Sequence, residues 1–387
     1  MGNWNSKSTI AFNSKHSQRS LLFLVLFFSG VTALVYQIIW IREFGQVFGV
    51  HVYSMTTVLT AFMAGLALGS LIFGRIVDKK DNPLRVFFLL ELGIGLFALL
   101  FPFLFDALSR GYGLLAQHTT LSNYGQQLVR FVFAFLFLLI PTTLMGGTLP
   151  VIIKYFVRRL GNVGGGVSTL YALNNFGAVV GGFLAGFVMI RLLGIQMSLT
   201  IAALLNLANA LITWIISRTF RKVTLQTDEH YIQEEKIVKK TEDNKVVYKL
   251  PKPVVRLVLW VFAIEGFTTL AYEVIWGRIL ISFSFDKTVY FSTVIVVSFI
   301  FGLSLGSFLL RKWIDRGKHL LAFLGFIEVG VGLSSFILLL VFSWLAPFLA
   351  EQRELTDTWM QVAGKEYFIF FILLSIPTTL MGFTFPV

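Results

Sequence analysis

Long apolar runs separated by short polar gaps dominate the sequence from residue 21 onward. A helix needs about 20 apolar residues to cross a bilayer, and the runs reach that length. The pattern therefore predicts an all-α polytopic membrane protein with about ten transmembrane helices. The predicted spans are residues 21–41, 52–73, 86–104, 128–151, 167–190, 197–216, 254–275, 289–310, 320–345 and 367–387.

One long polar stretch, residues 218–253, interrupts this pattern. Its acidic and basic residues are mixed, which is typical of a solvated, flexible connection rather than a folded domain. We therefore divide the chain into a cytoplasmic N-terminal tail (1–20), a first membrane repeat of six spans (21–217), a charged cytoplasmic linker (218–253) and a second membrane repeat of four spans (254–387).

Composition excludes several classes of protein. Hydrophobic residues make up 56% of the chain and charged residues 13%, with a mean hydropathy of +0.79, so a soluble globule is excluded. The chain has no Cys, which excludes disulfides and thiolate metal sites. The five His residues show no ligand spacing, so we predict neither a metal site nor a cofactor.

The net charge of +12 is explained by topology rather than by nucleic-acid binding. The Lys and Arg residues lie in alternate gaps between the apolar runs, as expected where positive loops stay in the cytoplasm. We therefore predict a multi-pass protein of the plasma (inner) membrane with both termini cytoplasmic, whose surroundings are the lipid bilayer and no nucleic acid.

The two sides of the linker contain the same blocks in the same order. GVTALVYQIIWIR (30–42) recurs as GFTTLAYEVIWGR (266–278), GLALGS (65–70) as GLSLGS (302–307), and ELGIG (91–95) as EVGVG (328–332). PTTLMGGTLPV (141–151) recurs as PTTLMGFTFPV (377–387), with nine of eleven positions identical. Because six spans separate the copies, both start on the same side, which predicts two parallel repeats as in many transporters.

The second repeat stops at Val387, the equivalent of Val151, before any fifth or sixth span. We therefore expect the second repeat to be incomplete and the chain to be a fragment.

Small residues at a spacing of four mark the second and eighth spans. Gly65 and Gly69 form one GxxxG motif, and Gly302 and Gly306 form its repeat equivalent. Such glycines let helix backbones approach closely in lipid, so we assign all four to helix packing.

Acidic residues inside spans are costly, and they are by default candidates for function. Glu91 and Glu328 occupy equivalent positions in the third and ninth spans, whereas Glu273 corresponds to the neutral Gln37. An acid present in one repeat only suits a cation or proton site. The alternative for Glu91 and Glu328 is that each simply pairs with a neighbouring helix or a loop Arg.

Aromatic pairs recur at a spacing of four in the first and seventh spans. Tyr36 and Trp40 match Tyr272 and Trp276. These residues either belong to an interfacial aromatic belt or line a pocket in which a cation rests on the ring faces.

The segment GRIVDKK (74–80) resembles the loop signature of the major facilitator superfamily, in which glycine, acid and basic residues couple helix ends. Gly74, Asp78 and the repeat position Asp315 would then belong to a gating motif. The second copy departs from the signature, because Arg311 replaces the glycine. Positive-inside anchoring is the alternative explanation of the basic residues.

These blocks, together with YALNNFGAVVGG (171–182), resemble the membrane part of spermidine synthase-like membrane proteins, in which a major-facilitator-like module is fused to a spermidine synthase domain. The resemblance covers nearly the whole chain except the linker. It implies a soluble aminopropyltransferase-like domain after the spans or as a separate partner, but the chain contains no residues for one, and we assign no catalytic residue.

Three hypotheses remain open at this point. In the first, a transporter-like module binds or moves a small, polyamine-like cation, with Glu91, Glu328 and Glu273 supplying negative charge and the aromatic pairs lining the site. In the second, the spans only anchor and position an aminopropyltransferase-like enzyme. In the third, the chain is a scaffold whose charged linker docks a partner.

Overall fold

The computed structural model describes residues 4–48, 51–118, 122–160, 164–219, 251–283, 289–314, 320–351 and 359–384, and within these ranges the regular structure is helical. The first six helices are α1 (Trp4–Phe48), α2 (His51–Asp78), α3 (Pro83–His118), α4 (Asn123–Leu160), α5 (Gly164–Phe183), which continues into a π-helical turn (Leu184–Met189), and α6 (Ile190–Thr219). After the linker come α7 (Lys252–Phe283), α8 (Val289–Ile314), α9 (Leu320–Glu351) and α10 (Trp359–Thr384).

The predicted all-α membrane fold is confirmed. Nine segments of the described chain are long and apolar enough to cross a membrane. One of them, Thr169–Thr219, has 51 residues and would extend about 77 Å as a single helix, more than twice the thickness of the hydrocarbon core. Inside it, Gly194 has φ 77° and ψ 174°, which breaks the helix. This segment therefore contains the fifth and sixth predicted spans.

The helices extend beyond the predicted spans. Residues 4–20, predicted as an N-terminal tail, are helical from Trp4 and continue directly into the first span. Hydropathy detects only the apolar middle of such a helix. Most of the predicted linker, together with Asp315 of the predicted gating motif and Val387, lies outside the described residues.

The same close helix contact is formed once in each repeat. The helices α2 and α4 pack along their length, and α8 and α10 do likewise. At Gly65 an added Cβ would lie 1.9 Å from Thr142 Oγ1, and at Gly302 it would lie 1.9 Å from Thr378 Oγ1. The backbones are therefore close enough that only glycine fits at these positions.

The two repeats meet through α5 and α8. An added Cβ at Gly182 would lie 2.7 Å from Val297 Cγ2, and one at Gly186 would lie 2.4 Å from the side chain of Thr293. Next to this contact, the ring of Phe187 stacks on Tyr290 at 5.8 Å. This packing joins the halves at one end of the bundle and leaves space between them toward the other.

Candidate functional site

A cavity of about 1010 Å³ lies between the two repeats. Both repeats supply its wall: α1 to α6 from the first, and α7, α8 and α10 from the second. Most of the wall is apolar, with Phe62 and Phe299 at equivalent positions on the two sides. The volume is sufficient for a small organic solute.

One end of the cavity is marked by an ion pair. Asp78, at the end of α2, accepts a hydrogen bond from Lys154 Nζ of α4 at 2.6 Å. Both side chains are partly exposed, and both line the cavity. The cavity is therefore open at this end, which is the end predicted to be cytoplasmic.

Two carboxylates of α7, Glu265 and Glu273, lie deeper along the cavity wall. Together with the paired Asp78 and Lys154 they are the charged residues among the described cavity lining, so the wall carries a formal charge of −2 when all four are ionised. Eight residues separate the two acids along α7, which corresponds to about 12 Å along the helix axis.

Among the described cavity-lining carboxylates, Glu273 is the one without a protein partner. Its side chain is 4% exposed, and within the described part of the chain it forms no hydrogen bond or ion pair. Glu265 differs, because it accepts a hydrogen bond from the Thr384 hydroxyl of α10. The carboxyl group of Glu273 therefore lines the cavity without a partner among the described residues.

Repeat symmetry explains why the acids lie on one side. The position equivalent to Glu273 is Gln37, and the position equivalent to Glu265 is Ser29, and both neutral residues line the cavity from α1. The same helix face is thus acidic in the second repeat and neutral in the first.

Glu91 lies behind the cavity wall. It is completely buried and accepts hydrogen bonds from Ser29 Oγ at 2.6 Å and from Asn206 Nδ2 at 2.5 Å. Its repeat equivalent, Glu328, is only half-buried, and one of its carboxylate oxygens has no hydrogen-bond partner among the described residues. The sequence-equivalent acids are therefore in different environments.

The predicted aromatic pairs form stacked rings in the interior. Tyr36 stacks on Trp40 at 5.7 Å, and Tyr272 stacks on Trp276 at 4.9 Å. Both Trp side chains are fully buried, Trp40 against the cavity-lining Phe62 and Trp276 against Phe299. The two phenylalanines are among the cavity-lining residues and the two Trp residues are not, so a role for the aromatic pairs in solute binding stays a prediction.

Comparison with known families gives a match to the Major Facilitator Superfamily over residues 20–387. The chain belongs to this superfamily. A comparison with curated proteins gives no match. Membership makes the chain a multi-pass, transporter-like membrane module, and its central cavity lies between two repeats, as transport folds of this kind place their sites. The resemblance to spermidine synthase fusions stays a prediction.

The segment that resembles the superfamily's loop signature lies at the open end of the cavity. Gly74 and Asp78 both line the cavity, and an added Cβ on Gly74 would meet no atom within 4 Å. Packing therefore does not require glycine at this position, in contrast to Gly65. The role of the segment in gating stays a prediction.

Several neutral polar residues that line the cavity were not predicted as site residues from the sequence. They are Ser29, Gln37, Asn174, Asn175 and Asn206. Amides and hydroxyls in apolar spans are the signal that could have found them, because such groups need partners in lipid. Because these side chains are neutral, the sequence does not distinguish them from the many polar residues that form hydrogen bonds only within their own helix.

Proposed function

We propose that this protein moves a small organic cation across the membrane through the cavity between its two repeats. The observation that carries the proposal is the carboxylate of Glu273, which is buried, unpaired among the described residues and in the cavity wall. More specifically, we propose that the solute is a polyamine-like cation.

Electrostatics favours a positive solute. An ionised carboxylate in a low-dielectric interior costs several kcal/mol unless a partner compensates it. The described part of the cavity wall offers one basic side chain, Lys154, which is already paired with Asp78. A solute ammonium group beside Glu273 would supply the missing partner, whereas an anion would add to the repulsion.

An elongated cation with two charges fits this wall better than a compact one. Glu265 and Glu273 lie about 12 Å apart along α7, and the surface facing them is largely apolar. A polyamine has ammonium groups joined by methylene chains, so its charges could contact the acids while its carbons contact the wall. The resemblance to spermidine synthase-like membrane proteins points to the same class of solute.

The other acids and the aromatic pairs would act at longer range in this proposal. Glu328 belongs to the same repeat as the two cavity acids and would add negative potential. Trp40 and Trp276 would support the cavity-lining Phe62 and Phe299 from behind.

Transport accounts for the structure better than anchoring does. A membrane anchor for an aminopropyltransferase needs apolar helices but no solute-sized cavity with a buried, unpaired acid. Alternating access needs a solute-sized cavity between two repeats that can rock about it. A buried acid in the wall of that cavity suits the binding of a cation.

Uptake of radiolabelled spermidine into proteoliposomes that contain the full chain tests the proposal. Glu273→Gln keeps the shape of the side chain and removes its charge. A hydrogen bond to a charged group contributes about 1.5–3 kcal/mol, so we expect the apparent KM for spermidine uptake to rise roughly 10- to 100-fold. Glu351→Gln, the same change on an exposed acid at the end of α9, should leave uptake unchanged.

A charge swap sharpens the test. Adding Gln37→Glu to Glu273→Gln moves the acid to the equivalent position on the opposite wall and should restore part of the affinity. The proposal fails if Glu273→Gln transports spermidine like the unmodified protein, or if a neutral sugar or an anionic solute competes as well as spermidine does.

A further inference from the structure

The buried carboxylate of Glu91 belongs to a hydrogen-bond network that is separate from the acids of the cavity wall. Glu91 on α3 accepts from Ser29 of α1 and from Asn206 of α6. Asn206 in turn accepts from the Tyr36 hydroxyl at 2.8 Å. The network thus joins three helices of the first repeat around one acid that is 0% exposed.

The two partners of Glu91 differ in whether they can accept a hydrogen bond from it. The amide nitrogen of Asn206 can only donate, and the Tyr36 hydroxyl bound to its oxygen holds the amide in that orientation. A hydroxyl both donates and accepts, so Ser29 can donate to an ionised Glu91 or accept from a protonated one. A proton on Glu91 is therefore compatible with the network on the oxygen that faces Ser29.

Ser29 also connects the network to the cavity. Both Ser29 and Asn206 line the cavity, whereas Glu91 lies behind them. When Ser29 accepts the proton of Glu91, its own hydroxyl hydrogen is free to turn toward the cavity. A proton could thus pass between cavity water and Glu91 through this single hydroxyl.

No basic group compensates Glu91. Within the described ranges it forms no ion pair, and the titratable side chain that faces it from α1 is the neutral phenol of Tyr36. The helix α6 presents two amides, Asn206 and Asn209. On α4, Lys154 is paired with Asp78, and Tyr155 accepts a hydrogen bond from Gln18. Either protonation state of Glu91 can thus be accommodated, the ionised form by the donors and the neutral form by the apolar surroundings.

We propose that Glu91 and Ser29 form a proton-binding site that exchanges protons with the central cavity. The ligand is the proton itself, and Ser29 is its relay. If the proposed transport function holds, this site would couple solute movement to proton movement, since both sites open on the same cavity.

Infrared difference spectroscopy of the purified full chain in lipid tests the site without any solute. Acidic buffer should produce a protonated-carboxyl C=O band that is missing in Glu91→Gln. In D₂O, the exchange of this band should be slower by roughly tenfold or more in Ser29→Ala, because a positioned proton-transfer group typically contributes at least that much. Ser29→Thr keeps the hydroxyl and should exchange like the unmodified protein.

A matched control is Ser70→Ala, which removes a cavity-lining hydroxyl that donates to Ala67 O of its own helix. It should change neither the band nor its exchange. The proposal is overturned if the band persists in Glu91→Gln, or if Ser29→Ala exchanges at the unmodified rate. These outcomes do not depend on spermidine uptake, so the proton site and the proposed transport function can fail separately.

Discussion

Replacing Gly65 by alanine is the sharpest test of how the membrane repeats are held together. A Cβ at this position would lie 1.9 Å from Thr142 Oγ1 and 2.8 Å from the Thr142 carbonyl carbon. Ordinary van der Waals contact of a Cβ begins at 3.4 Å, so about 1.5 Å of additional room is needed. Backbone atoms form part of the obstacle, so rotation of the Thr142 side chain alone cannot provide that room.

The expected cost follows from this geometry. Overpacking typically costs about 1–3 kcal/mol, and a clash that includes backbone belongs at the upper end of that range. Alanine gains about 1 kcal/mol over glycine inside a helix, which offsets part of the cost. We therefore expect Gly65→Ala to lower the free energy of unfolding by about 2 kcal/mol.

Gly74 provides a matched control on the same helix. A Cβ there would meet nothing within 4 Å, so Gly74→Ala should raise the free energy of unfolding by up to about 1 kcal/mol. The two variants should thus differ by about 3 kcal/mol although the chemical change is identical. Gly302→Ala, which meets Thr378 as Gly65 meets Thr142, should behave like Gly65→Ala.

Unfolding in mixed micelles with increasing SDS, followed by circular dichroism and Trp fluorescence, measures these differences. Equal transition midpoints for Gly65→Ala and Gly74→Ala would refute the reasoning, because they would mean that α2 and α4 separate without cost. A low midpoint for Gly65→Ala with a normal midpoint for Gly302→Ala would instead contradict the equivalence of the two repeats.

Three further predictions concern other parts of the bundle. Gly194→Ala should lower the free energy of unfolding by about 1–3 kcal/mol in the same assay, because its φ of 77° and ψ of 174° suit glycine. Trp40→Ala should cost about 3–5 kcal/mol, since Trp40 is fully buried, whereas Trp344→Ala, at a position 64% exposed, should cost far less. Ser70→Cys adds the only thiol to a chain without Cys and should react with a membrane-impermeant maleimide only from the membrane side on which Asp78 lies.

Hydropathy and the internal repeat predicted most of the fold. The break between the fifth and sixth spans was expected between residues 190 and 197, and the structure places it at Gly194. The ends of the helices were harder to predict, because they extend beyond the apolar part of the membrane and carry no hydropathy signal. The segment from Trp4 to residue 20 is an example.

The candidate site was only partly predictable. Glu273 could be singled out because its repeat equivalent is neutral, and this comparison needs only the sequence. The environment of Glu91 could not be predicted, because its partners Ser29 and Asn206 lie 62 and 115 residues away on other helices. The burial of Trp40 could not be predicted for the same reason, because the cavity-lining ring that it contacts, Phe62, comes from a neighbouring helix.

The difference between the repeats matters more for the proposed transport than their similarity. A solute can shift a conformational equilibrium only if it binds one state better than the other. Glu265 and Glu273 hold charge on the second repeat, while Ser29 and Gln37 present neutral groups from the first. A cation held by the acids of α7 would gain hydrogen bonds from α1 only when the two walls approach. The same charge on both walls would make that approach repulsive in the empty cavity, so acids confined to one repeat allow the empty protein to close and the loaded protein to close more favourably.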